Sequence, residues 1–396
     1  MVDPTLPEWK RVHEQVCTVV DLHAHPSLNV SLFNRAISKR VYPSTRAFDP
    51  FSVRTNIHQL QQGSVDVLLS VIYPPERGIV EECKYIKLLK YFMLPTWNKI
   101  YGQPYFQVTN QLLDEIEKAV AQTVNPQTGK PQAKFVYSLI ELDELLSQGP
   151  DHPIAMVHCI EGGHSLGVAE EHPDHIKNLE HFFQRGVAYM ILAHFFKNDL
   201  THPCFPWPEN IQKFGCFRGE RDLTLGLTPK GEEVVEKMVE LGMLVDVSHC
   251  TPPARKRVYE IVGKRAPILA SHVGAYEINP DPYNLQDWEL RRIAESGGVA
   301  GVIFMNYWLM PHATGRGINF ITRTIQHFKD VAGIEHVGIG TDFDGFTDPP
   351  DDLRDASQLP FLTQRLLVEG FSEEELIKIW GGNALRAIRQ GWGKRT

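Results

Sequence analysis

Eight short apolar runs rich in β-branched residues divide this chain, and they constrain its fold more than any other feature. They occupy residues 17–23, 65–72, 154–160, 187–193, 243–249, 267–271, 298–304 and 336–341. Runs that are apolar almost throughout, not at every second position, read as strands covered on both faces, as in a parallel sheet. Helical patterns lie between most of them. One, Glu232 to Val239, follows Thr228-Pro229, a capping residue with proline in the first turn. Another runs from Asp287 to Ile293. Such alternation favours a parallel α/β sheet, and eight strands favour closure into a (β/α)8 barrel of the TIM type over an open sheet. No Gly-X-Gly-X-X-Gly follows the first run, which argues against a dinucleotide-binding fold. A chain of 396 residues fits one barrel domain over 1–396.

The intervals are uneven. Residues 73–153 separate the second and third strands and read as a helical insertion carrying Trp97, Tyr101, Tyr105 and Phe106. Residues 195–227, rich in proline, glycine and aromatics, follow the fourth strand and are expected to lie as a loop over the catalytic face. Near the C-terminus, Ser372 with Glu375 three positions on is a capping box.

Six of the runs end in a residue of a type that can bind metal or move a proton. The first ends in His23-Ala24-His25; the others end at Glu161, His194, His249, His272 and Asp342. In a strand, residues two apart share a side, so His23 and His25 can reach one ion. In a barrel all six ends meet at one mouth. Imidazole and carboxylate donors suit Zn²⁺, and the set exceeds what one ion needs. A glutamate that ends a buried strand needs a cation beside it; Glu161, able to bridge, suggests a pair of ions. Asp342 and Asp344 are also two apart; Asp342, nearer the strand, is the candidate proton shuttle, and Asp344 reads as structural. His194 reads as a residue that polarises the substrate. The remaining histidines, such as His172, His175 and His181, read as solvated.

A net charge of −8, with no concentrated basic patch, argues against nucleic acid as a partner. No apolar stretch approaches the roughly 18 residues of a membrane span, so no membrane partner is expected. The six cysteines form no Cys-X-X-Cys pair, and three of them, Cys17, Cys159 and Cys250, lie in or beside the predicted strands. They read as buried reduced thiols. The first residues show no signal peptide, so a cytoplasmic location is the expectation.

The segments Asp21-Leu22-His23-Ala24-His25, Glu161-Gly162-Gly163-His164-Ser165, Leu192-Ala193-His194, Asp246-Val247-Ser248-His249, Ala266 to His272 and Val337 to Gly345, in this order, resemble the membrane (renal) dipeptidase family, peptidase family M19, of the amidohydrolase superfamily. Gly370 to Leu376 and Gly382-Asn383 also match. The resemblance runs from about residue 17 to 390. It implies two zinc ions bridged by Glu161, one held by His23 and His25 and the other by His249 and His272. It further implies Asp342 as general acid and base, and His194 against the substrate carbonyl. A metal-bound hydroxide would attack an amide carbonyl of a small, dipeptide-like substrate. A homodimer is implied as well.

Two positions depart from the family pattern. Members usually carry His-X-Asp on the first strand, where this chain has His25. They carry an arginine for the substrate carboxylate about a dozen residues after the sixth-strand histidine, where this chain has Tyr283. A phenol cannot supply the arginine's charge. A lactone, ester, or cyclic or blocked amide is therefore the alternative substrate class. A catalytically silent metal-binding protein is the remaining reading.

Overall fold

The computed structural model describes residues 5–39, 52–204, 215–217, 219, 221–310 and 317–393. Among the described residues nine strands form one parallel sheet: β1 (Val19–Ala24), β2 (Val65–Ile72), β3 (Ala133–Phe135), β4 (Ile154–Glu161), β5 (Tyr189–Ile191), β6 (Leu244–Asp246), β7 (Ile268–Val273), β8 (Val299–Val302) and β9 (Val337–Ile339). Eight follow one another in the order β1-β2-β4-β5-β6-β7-β8-β9. The ring closes where the chain beyond β9 meets β1. The Asp342 N–H donates to the His23 carbonyl at 2.8 Å, and the His25 N–H to the Phe343 carbonyl at 2.8 Å. The fold is thus an α/β barrel of eight parallel strands, and each expected strand is present.

The ninth strand is a correction to the sequence reading. Within 73–153, β3 pairs with β4 outside the ring. It is three residues long with Lys134 exposed, too short to carry a pattern.

The apolar runs form strands because both of their faces are buried. Val67, Leu69 and Val71 of β2 join one apolar cluster, and Val65, Leu68 and Ile72 join another. Gly301 and Gly338 are required by close approach: a Cβ at either would lie 3.2 Å or 2.9 Å from the Leu22 side chain. The helix stops follow the expected chemistry. Thr228 accepts from the Gly231 N–H at the head of Pro229–Leu241, and Ser372 forms its capping box with Glu375.

The cysteine reading needs correcting. Cys17, Cys159, Cys204 and Cys250 are buried free thiols, but Cys83 and Cys216 form a disulfide across 133 positions. It ties the segment after β2 to the loop after β5, and it removes the argument for a reducing compartment from cysteine usage. No helix among the described residues is long and apolar enough to cross a membrane.

A second correction concerns histidines. His175 is buried beside Asp199, at 3.2 Å, and His181 is half-buried against Asn110. His13 is also buried, and its contacts fix one neutral tautomer. The Trp380 N–H donates to Thr363 Oγ1, the Thr363 hydroxyl to His13 Nδ1, and His13 Nε2–H to the Gly63 carbonyl, over 2.7, 2.7 and 3.0 Å. Burial lowers the ring from 6.5 to about 4. The unfolded chain therefore takes up this proton near pH 6.5 and the native protein only near pH 4, so stability falls as pH drops through that window. At pH 5 the group accounts for about 2 kcal/mol of that fall. Urea unfolding at pH 7 and pH 5 should show a smaller difference for His13→Gln than for the unsubstituted protein. An equal difference would show that His13 carries none of it.

Candidate active site

The six strand ends bring the seven expected groups together. His23 lies in β1, with His25 just beyond it; Glu161 is the last residue of β4. His194 and His249 follow β5 and β6, His272 lies in β7, and Asp342 follows β9. All seven side chains are buried, none more than 6% exposed.

Glu161 is the hub. Its Oε1 lies 3.1 Å from His249 Nε2 and 3.5 Å from both His23 and His272. Its Oε2 lies 3.3 Å from His25 and 3.4 Å from His194. Asp342 Oδ1 sits at the other side of the first pair, 3.3 Å from His25 and 3.7 Å from His23. The donor atoms fall into three overlapping groups, each within 4.8 Å: His23, His25 and Asp342; His23, Glu161 and His272; Glu161, His194 and His249.

This set fits metal. His23 Nε2 and His25 Nε2 are 3.0 Å apart, and His249 Nε2 and His272 Nε2 are 2.9 Å apart. Nitrogens that face each other so closely suit a cation between them, at the 2.0–2.1 Å of a zinc–imidazole bond. Glu161 Oε1 has no hydrogen-bond partner among the described residues, although it is buried.

The layer behind the donors sets the tautomer of His23. The Tyr189 hydroxyl donates to the Leu22 carbonyl at 2.8 Å, so its oxygen accepts from His23 Nδ1–H at 2.9 Å. Ser271 Oγ lies 2.9 Å from His272 Nδ1. The Tyr189 contact leaves His23 Nε2 as the free lone pair, the usual support for a ligating histidine.

Electrostatics separates the carboxylates. Burial raises Glu161, but the surrounding histidines, His194 and His23 foremost, outweigh it and hold the carboxyl well below its ordinary range. Burial raises Asp342 above its ordinary value, against the pull of His25. Glu161 is thus held as an anion, and Asp342 is tuned toward taking up a proton.

Two donors sit on strained backbone. His249 and Asp342 have φ of 63° and 55°, a region that non-glycine residues seldom occupy and that clusters at functional sites. Asp344 does the structural work expected of it. Its carboxylate accepts from the Arg54 and Thr55 N–H groups at 2.9 and 3.1 Å and from the Thr55 hydroxyl.

Tyr283 is fully buried, and its hydroxyl donates to the His272 carbonyl at 2.6 Å. Its ring stacks on Trp308 at 3.9 Å and meets His249 edge-on at 5.1 Å. Behind it, Arg255 donates to both oxygens of Glu289 and to the carbonyls of Cys250 and Pro282. Tyr283 therefore lines the site as a neutral aromatic wall. Of the expected covering loop 195–227, residues 205–214, 218 and 220 lie outside the described residues.

One residue of the site escapes the strand-end pattern. Glu76 reaches His194 Nδ1 at 3.0 Å from the loop after β2. The signal existed, an acid four residues past a buried strand, but Pro74-Pro75 obscures where the strand ends.

The profile of the membrane dipeptidase family, peptidase family M19, matches residues 7–392. The chain belongs to that family. Its relatives include dipeptidase 3 of Mus musculus, 32% identical over 239 residues, which are 60% of this chain and 44% of the mouse protein. Dipeptidase aclJ of Aspergillus oryzae is 30% identical over 230 residues, 58% of this chain and 50% of the fungal protein. The chain thus spans about half the length of the curated relatives it matches. Among solved structures, a metallopeptidase from Rhodobacter sphaeroides, liganded with a phosphinate mimic of L-Ala-D-Ala, superposes with a TM-score of 0.70. It is 20% identical, and the match covers 95% of this chain and 99% of that one, which speaks for the fold.

Proposed function

We propose that this M19 chain is a two-zinc hydrolase that cleaves the amide bond of a small, dipeptide-like substrate. The observation that carries the reading is one buried glutamate with five imidazole nitrogens within 3.5 Å and a second carboxylate beside them. His23 and His25 would hold one ion, His249 and His272 the other, with Glu161 between. Bound there, the ions would polarise the scissile carbonyl and make water acidic at neutral pH.

The chain's own groups supply the rest. Asp342, raised toward neutrality by burial, takes up a proton on its carboxylate and returns it to the leaving nitrogen. His194 turns Nε2 toward the substrate carbonyl. Burial keeps bulk water away from both.

A second reading, favoured by Tyr283, is a substrate without a free carboxylate at that wall: a lactone, an ester, or a cyclic or blocked amide. The phenol's proton is already given to the His272 carbonyl, so it offers no charge and no free donor. A panel of free dipeptides, their C-terminal amides and simple lactones separates the readings. We expect dipeptide turnover that a chelator abolishes and added zinc restores. Turnover confined to amides and lactones would select the second reading. Metal binding without turnover of any member would overturn both and leave a silent metal-binding protein.

A further inference from the structure

Glu76 lies on the loop after β2, 3% exposed, and its carboxylate gathers four donors. These are His194 Nδ1 at 3.0 Å, the Phe195 N–H at 3.2 Å, the Phe196 N–H at 2.9 Å and the Tyr73 hydroxyl at 3.1 Å. Two of them are backbone amides, which can only donate, and they reach different oxygens of the same carboxylate. An ionised carboxylate accepts at both oxygens and donates at neither, so it satisfies this surround; a glutamine would turn its NH₂ against one amide.

The ring it holds has little freedom. His194 lies between Tyr73, at 4.2 Å between centroids, and Phe195, at 3.5 Å. What remains open is which nitrogen points inward. Glu76 decides that, because its oxygen meets Nδ1 and leaves Nε2 3.4 Å from Glu161 Oε2. The loops that carry the two partners are themselves close-packed. A Cβ at Gly78 would meet the Phe196 ring at 2.4 Å.

We propose that Glu76 is the positioning residue of His194, a role that rests on the hydrolase reading above. It holds Nδ1 and so fixes Nε2 toward the reacting carbonyl, as a carboxylate behind a catalytic imidazole does. Glu76 touches neither substrate nor the proposed ligand set; it acts through His194.

The test uses the zinc-loaded full chain and a dipeptide that the unsubstituted protein hydrolyses. Glu76→Gln should lower kcat by about 10- to 100-fold, with KM changed by less than about threefold and the zinc content unchanged. In a His194→Ala background the same substitution should cost nothing further. An imidazole N–H proton resonance, shifted downfield by the carboxylate, should be present in the unsubstituted protein, absent in His194→Ala and displaced in Glu76→Gln. A kcat within twofold of the unsubstituted protein would overturn the proposal. So would losses that multiply in the double variant, because a residue that only supports the loop acts with or without His194. If the unsubstituted protein turns over no member of the dipeptide, amide and lactone panel, the hydrolase reading falls on that result alone, and the resonance still decides the pairing.

Discussion

Asp342→Asn should lower kcat for the hydrolysed amide by about 10²- to 10⁴-fold, the range in which a positioned general acid and base acts. The substitution changes little else. Asparagine has the same shape, and with aspartate it tolerates left-handed backbone better than other side-chain-bearing residues, so the φ of 55° at this position is kept. The Asp342 N–H bond to the His23 carbonyl, which helps close the barrel, and the Thr347 hydroxyl bond to the Asp342 carbonyl do not involve the carboxylate. What is lost is the group that burial has tuned to take up a proton. The comparison is kcat at saturating substrate with zinc content measured on the same sample. A large fall with zinc retained assigns the proton to Asp342. Full activity would move it to another group, with His194 the next in line.

Glu161→Gln should have the second large effect, on metal. The carboxylate lies within 3.5 Å of both histidine pairs, and its charge makes a cluster of five imidazoles attractive to two cations. A neutral amide keeps the shape but offers a single oxygen and turns an NH₂ toward the other pair. Zinc content should fall to one ion or fewer per chain, and turnover should fall with it. Retention of both ions would show that the histidines hold them without the bridge.

Much of this was legible in the sequence, for physical reasons. Strands covered on both faces leave continuous apolar runs, and the step from such a run to His23, Glu161, His249, His272 or Asp342 is abrupt because each ends at the polar mouth. Thr228 and Ser372 announced their helices because a cap must offer a side-chain oxygen just before the first turn. What escaped lacks such local signals. β3 is three residues that alternate once. Cys83 and Cys216 are 133 positions apart and meet only through the fold. His175 looked like a surface histidine on a polar helix, yet the turn of that helix buries it against Asp199. Glu76 follows two prolines, and its partner nearby in sequence, Tyr73, does not mark it as part of the site; the strand order β2-β4-β5 brings His194 to it. Tyr283 could be seen to lack a charge, but not that its hydroxyl is already committed to the His272 carbonyl.

The strand ends are proposed to form a two-ion centre. Elemental analysis of the purified protein, after reconstitution with zinc and removal of the excess, tests it most directly. About two zinc ions per chain are expected, with dipeptide turnover rising as they load. A protein that retains no zinc would leave five histidines around one buried carboxylate without a cation to explain them, and the two-ion centre would fall.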